Sequence, residues 1–185
     1  MKKTLIVTTL IIILSWTHIA AQNPAPSSGV EISFTFNRQR GFSSNQFAVW
    51  IEDSGGRVVK TLFATKFTAS GGWAKRPLSI PLWVEKSGLS SMAKKDIDAF
   101  TGATPRAGVL RYLWDGKDKN GTPVAAGEYK VFLEATLRED DRVIYSASFR
   151  QGSGSSAEAE TKTTYFGSRT NERGMIENVK VLYRP

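Results

Sequence analysis

Short segments in which apolar and polar residues alternate recur along this chain and constrain its fold more than any other feature. The first such segment, residues 30–36, contains Val30, Ile32 and Phe34. Strands are predicted there and in segments 47–51, 58–64, 109–114, 129–136, 143–149, 161–166 and 176–183. Because successive side chains of a strand point to opposite faces, this period predicts half-buried β-strands. Turn formers separate them, as in "DSGGR" (residues 53–57), and residues 151–160 are predicted as a loop. Seven to eight such strands predict an all-β, immunoglobulin-like antiparallel β-sandwich with a long irregular insertion at residues 65–108.

The first 21 residues have the layout of a secretory signal peptide. Lys2 and Lys3 precede an apolar run at residues 5–16, and small residues end at Ala21. The run is short for a membrane span, so an uncleaved anchor is the less favoured alternative. We expect a signal peptide at 1–21, a linker at 22–29 and one domain at 30–185, with no transmembrane segment after cleavage. The predicted location is periplasmic or secreted, in a bacterium.

Two residue types that dominate enzyme active sites are missing from the expected mature chain. There is no cysteine, and the single histidine, His18, lies in the predicted signal peptide. This excludes Ser-His-Asp and Cys-His catalysis, haem ligation by histidine and ordinary zinc catalysis. Any redox chemistry would therefore need an organic cofactor. The formal net charge is +8, but the basic residues are scattered, so we predict no nucleic-acid binding. No metal site is predicted, because lysines alternate with the oxygen donors of "DGKDKNGTP".

Several tryptophans lie in or near the predicted insertion, where long irregular segments are often functional. Trp50 is out of phase with Phe47 and Val49, so we expect it on the opposite face of its strand. Trp73 and Trp83 lie in the insertion itself. They are candidates for stacking on a flavin or a sugar, and core packing is the alternative.

The insertion ends in "DAFTGATPR" (residues 98–106). This segment resembles the recognition motif of ApbE-type flavin transferases: Asp, two variable residues, Ser or Thr, then Gly-Ala-Thr. The specified positions are filled by Asp98, Thr101, Gly102, Ala103 and Thr104. The resemblance implies that the phosphate of FMN is joined covalently to the hydroxyl of Thr104. Arg106 is then expected beside the phosphodiester and Trp83 in the flavin environment, while Pro105 departs from most such loops and favours an extended Thr104.

Two further resemblances concern longer stretches. Residues 114–135 resemble a hairpin of immunoglobulin-like modules in exported bacterial proteins such as the flagellar hook-cap protein, which bears on the fold alone. Residues 47–64, the motif loop and residues 114–129 follow one another as in a family of predicted periplasmic proteins of unknown function. That family is associated with flavinylated, membrane-linked reductase systems.

These resemblances imply an extracytoplasmic flavoprotein that acts as an electron-transfer module rather than as a stand-alone catalyst. Its expected partners are an ApbE-type flavin transferase and a membrane reductase or another redox protein. The alternative hypothesis is a non-enzymatic periplasmic or surface module for binding or assembly. In that case the Gly-Ala-Thr loop is only structural.

Overall fold

The computed structural model describes residues 28–40, 44–138, 140–167 and 174–185. The predicted signal peptide and nearly all of the predicted linker lie outside these residues. Within them the chain forms ten strands: β1 (Gly29–Phe36), β2 (Gln46–Asp53), β3 (Val58–Thr65), β4 (Thr101–Gly102), β5 (Gly108–Trp114), β6 (Gly127–Arg138), β7 (Asp141–Gln151), β8 (Ala157–Ala159), β9 (Thr161–Phe166) and β10 (Ile176–Arg184). Every predicted strand is present.

The strands form two sheets that pack as a sandwich, which confirms the predicted all-β fold. The smaller sheet has the order β5-β1-β10-β8, and the larger has the order β4-β3-β2-β6-β7-β9. All pairings are antiparallel except that between β3 and β4. The arrangement is compatible with an immunoglobulin-like topology.

The prediction of a continuous loop at residues 151–160 is wrong, because β8 lies within it. This strand pairs with Val181, Leu182 and Tyr183 of β10. Its three residues, "AEA", are too few to show a period of two. Pairing with a strand that lies far along the sequence therefore decides its conformation.

The main core lies between the two sheets and contains the alternating apolar residues of the long strands. Phe47, Val49 and Ile51 of β2 belong to this core, whereas Trp50 belongs to a second cluster on the outer face of the larger sheet. The predicted orientation of Trp50 is thereby confirmed. Burying each such large apolar side chain contributes roughly 1.5–3 kcal/mol to stability.

The insertion covers that outer face with short helices. After a π-helical turn (Thr68–Gly72) come α1 (Trp73–Lys75), α2 (Pro81–Ser87), a 3-10 turn (Leu89–Ser91) and α3 (Lys94–Asp98). Ile80, Trp83 and Leu89 of this segment are buried against Trp50 and its neighbours. No sustained helical period of apolar residues is visible in the sequence of the insertion, because each of these helices has at most seven residues.

A buried carboxylate on β6 fixes the start of α2. The Glu134 Oε2 atom accepts the Trp83 amide at 2.8 Å, and Oε1 accepts the Leu82 amide at 3.2 Å. Arg142 donates to the same Oε1 at 3.0 Å. Burial raises the pKa of Glu134, and these donors oppose that rise by stabilising its charged form. The helix that leads toward the motif is thus attached to the sheet by polar contacts as well as by packing.

Candidate functional site

The motif segment leaves the insertion and is attached to the larger sheet just before Thr104. Asp98 is the last residue of α3, and the Phe100 carbonyl accepts the Ala64 amide at 3.1 Å. Thr101 and Gly102 then pair in parallel with the end of β3. Since β5 begins at Gly108, Thr104 lies in the short connection that crosses from one sheet to the other. This places the predicted acceptor at one end of the sandwich, on a backbone anchored upstream.

The glycine of the motif has a packing reason for its identity. A Cβ atom added to Gly102 would lie 2.7 Å from Cε2 of the Phe63 ring. Such a contact is too short for carbon atoms, so a larger residue would displace either the ring or the strand. Gly102 therefore allows β4 to lie directly on Phe63, which positions the residues that follow.

Thr104 lines a polar cleft of about 630 Å³ at this end of the sandwich. Three arginines share the cleft with it: Arg38 and Arg40 from the connection after β1, and Arg106 from the motif segment. Arginine presents several N–H donors in a planar fork that suits phosphate oxygens. The cleft therefore combines a threonine hydroxyl group with the side chains that best neutralise a phosphate.

An asparagine holds the arginine-bearing connection in place. Asn45 is buried and has a φ of 50°, a left-handed conformation that asparagine tolerates better than most residues. Its Oδ1 accepts the Gln39 amide at 2.7 Å, and its Nδ2 donates to the Gln39 carbonyl at 2.8 Å. Gln39 lies between Arg38 and Arg40, so these two bonds fix the backbone that carries both arginines.

Ser44 also lines the cleft, and its hydroxyl group is buried. Among the residues that the structure describes, its Oγ has no hydrogen-bond partner. A buried polar atom without a partner is costly, and in native proteins it is usually explained by strain, by a catalytic role, or by a bound water or ion. Rotation of the Ser44 side chain toward the cleft would let its hydroxyl group donate to a phosphate oxygen there. Both the charge of the cleft and this hydroxyl group therefore fit a phosphate-bearing cofactor.

The other residues predicted from the motif have different surroundings. Arg106 lines the cleft with Thr104, whereas Asp98 is exposed at the end of α3 and pairs with Lys94 at 2.5 Å. Ala103 is exposed, and neither it nor Asp98 lines the cleft. The predicted residues therefore lie in three settings. Thr101 and Gly102 pair with β3, Asp98 and Ala103 are exposed, and Thr104 and Arg106 line the cleft.

Trp83 lies beneath the motif segment rather than in the cleft. Its side chain is 0% exposed, and its Nε1 donates to the Thr61 hydroxyl oxygen at 3.1 Å. The ring meets Phe100 edge to face, with the centroids 5.8 Å apart. In this position Trp83 supports the motif segment through Phe100 and offers no exposed face for stacking.

Sequence reasoning missed Arg38, Arg40, Ser44 and Asn45. They belong to "NRQRGFSSN" (residues 37–45), a polar stretch with two arginines between two predicted strands. That composition marks a basic loop. Its proximity to Thr104 depends on the pairing of β1 with β5, which the local sequence does not show.

Residues 28–167 match the family described as "Predicted periplasmic protein (DUF2271)". The chain belongs to this family. The region of this DUF2271 member that matches includes both the arginine-bearing connection and the motif segment. The periplasmic location given for the family agrees with the export predicted from the signal peptide. No curated protein and no solved structure matches the chain. Within the described residues, none of the helices has the length and apolar character needed to span a membrane.

Proposed function

We propose that this periplasmic protein carries FMN covalently on Thr104 and acts as an electron-transfer module of a membrane-linked reductase system. The observation that carries the proposal is the cleft in which Thr104 lies with Arg38, Arg40 and Arg106. The segment from Asp98 to Thr104, which resembles the acceptor motif of ApbE-type flavin transferases, supports it independently. When bound, FMN would supply the electron-transfer chemistry of its isoalloxazine ring.

Thr104 would be the nucleophile of the attachment reaction. Its Oγ1 would form a bond to the phosphorus of an FMN phosphoanhydride, such as flavin adenine dinucleotide. The anhydride bond breaks, the nucleoside monophosphate leaves, and the hydroxyl proton passes to a base of the transferase. The product is a phosphodiester that retains one negative charge. No histidine or cysteine of this chain is needed, since the transferase supplies the catalysis.

The residues around Thr104 divide the remaining tasks. Arg38, Arg40 and Arg106 would neutralise the phosphodiester, and the Ser44 hydroxyl would donate to one of its oxygens. Pro105 restricts Thr104 to extended backbone, which keeps its side chain accessible to a modifying enzyme. Asp98 stays at the surface, where a transferase can contact it. Covalent attachment would also prevent loss of the cofactor outside the cytoplasm.

Co-expression with an ApbE-type flavin transferase tests the proposal. We expect the exported protein to gain the mass of one FMN less one water and to show flavin fluorescence in a denaturing gel. Thr104→Ala should lose both signals. Thr163→Ala, which removes an exposed threonine on β9, is the matched control and should keep them. A dark, unmodified wild-type protein, made with the transferase of its own host, would overturn the proposal and favour a binding or assembly module.

A further inference from the structure

A second cavity, of about 530 Å³, lies beside β3 and apart from the Thr104 cleft. We call it the β3 groove; it runs along Gly56–Thr61 and is bordered by the helical insertion and by the loop that follows β5. Phe100 lines this groove, and Thr104 lies four residues further along the chain, about 13 Å if extended. The two cavities share no lining residue, so the groove is a distinct candidate site.

The groove exists because the edge of the larger sheet is only partly covered. β4 pairs only with Ala64 and Thr65, so within the described residues Val58–Phe63 have β2 as their single strand partner. The insertion passes over residues 58–63, and among the described residues its strand β4 pairs only with the end of β3. An apolar floor remains open there, formed in part by Val59, Met92 and Phe100.

Charged side chains surround this apolar floor, and basic ones outnumber acidic ones: Arg57, Lys60, Lys86 and Lys119 line the groove together with one carboxylate, Asp96. Lys60 and Lys86 line the groove but pair with Asp115 at 3.1 Å and with Glu52 at 3.5 Å. Lys119 also lines the groove and, among the described residues, has no carboxylate partner. An apolar cavity of this size with a few convergent polar groups has the usual character of a small-molecule site. Its charge favours an anion.

Two backbone hydrogen bonds limit the edge with which an added strand could pair. At one end the Lys119 amide donates to the Val59 carbonyl at 3.1 Å, and at the other the Ala64 amide donates to the Phe100 carbonyl at 3.1 Å. Only the four residues Lys60–Phe63 lie between these bonds. A peptide that added to the sheet here could pair with at most four residues, which is near the lower end of the three to ten residues of most strands. The short opening therefore favours a compact ligand.

We infer that the β3 groove binds an anionic small molecule with an apolar ring. The ring would lie on Val59, Met92 and Phe100, and the anionic group would face Lys119. The inference does not depend on flavin attachment, because Thr104 is not part of the groove.

Naphthalene-2-sulfonate is a suitable probe, and 2-naphthol has the same ring system without the charge. Calorimetric titration should show tighter binding of the sulfonate, with amide NMR shifts confined to residues of the groove. Lys119→Ala should weaken sulfonate binding roughly two- to fivefold, the usual effect of one exposed charge. Lys95→Ala, a surface lysine outside the groove, is the control and should change nothing.

Two further variants locate the site. Ala99 is exposed and lines the groove, so Ala99→Trp should block binding while circular dichroism shows an intact fold. Thr104→Ala should leave binding unchanged, which separates this test from that of flavin attachment. Equal binding of the two probes, no binding at millimolar concentration, or shifts centred on Arg38 and Arg106 would overturn the inference. So would an acidic peptide that pairs with β3 more tightly than the sulfonate binds.

Discussion

Replacing Trp83 by alanine tests whether this ring is part of the structural core that supports the motif. Trp83 is 0% exposed, so the change removes a large buried side chain and leaves a cavity. Such truncations cost about 3–5 kcal/mol of the free energy of unfolding. The change also deletes the hydrogen bond to Thr61 and the edge-to-face contact with Phe100. In a domain of this size the melting temperature should fall by about 6–20 °C.

Urea unfolding followed by far-UV circular dichroism measures this loss without relying on tryptophan fluorescence. Trp73→Ala provides the matched control, because this half-buried tryptophan of the same insertion should cost less. Trp83→Phe keeps a ring and should cost only about 1–2 kcal/mol. Since Trp83 does not line the cleft, Trp83→Phe should also leave flavin loading of Thr104 unchanged.

The reasoning would be refuted if Trp83→Ala lowered the free energy of unfolding by less than about 1 kcal/mol while the denaturant slope stayed unchanged. So small a loss of stability is typical of a weakly packed or exposed side chain. Trp83 would then be available for stacking on a flavin, as the sequence predicted. Loss of flavin fluorescence quenching in a stable, fully loaded Trp83→Phe protein would support the same conclusion.

Three other perturbations test separate contacts. Gly102→Ala should cost about 1–3 kcal/mol in thermal unfolding, because the new methyl group overlaps the partly buried Phe63 ring, and a neutral result would contradict the close packing of β4. Hydrogen bonds from the backbone and side chain of Arg57, in the "DSGGR" turn, lower the pKa of Asp53. The ionised Asp53 carboxylate therefore stabilises the fold at pH values above its unfolded pKa, and this stabilisation is lost as pH falls through its lower folded pKa. Asp53→Asn should therefore lower the melting temperature at pH 7, and its difference from wild type should shrink as pH falls below the unfolded value of about 3.9; a constant difference at all pH values would be inconsistent. Arg106→Glu should reduce the flavin-loaded fraction at Thr104 about fivefold without destabilising the fold, and Arg150→Glu should not, with intact mass as the readout.

The sandwich could be predicted because its strands carry their own signals. Phe47, Val49 and Ile51 alternate with polar or outward residues, and burial of one face then fixes which side chains enter the core. The turn in "DSGGR" could also be predicted, since the φ of 75° at Gly56 suits glycine. These features depend on neighbours in the sequence, which is why local patterns describe them.

The surroundings of Thr104 depend on contacts between distant segments. The motif itself is visible in the sequence, but Arg38 and Arg40 reach Thr104 only because β1 and β5 pair as neighbours. The environment of Trp83 was likewise hidden. It lies in a run of short helices without a sustained period, and the polar attachment of α2 to Glu134 determines its orientation. The sequence motif thus indicated Thr104 as the acceptor, whereas the residues that surround Thr104 depend on how the strands pair.

The central claim is that Thr104, in its arginine-lined cleft, carries the flavin. Trypsin should release residues 96–106 as one peptide, which contains both Thr101 and Thr104. Fragmentation mass spectrometry of this peptide, taken from protein made with an ApbE-type flavin transferase, is the most direct test. The account predicts one FMN adduct, located on Thr104. An adduct on Thr101, or an unmodified peptide from protein made with the host's own transferase, would contradict it.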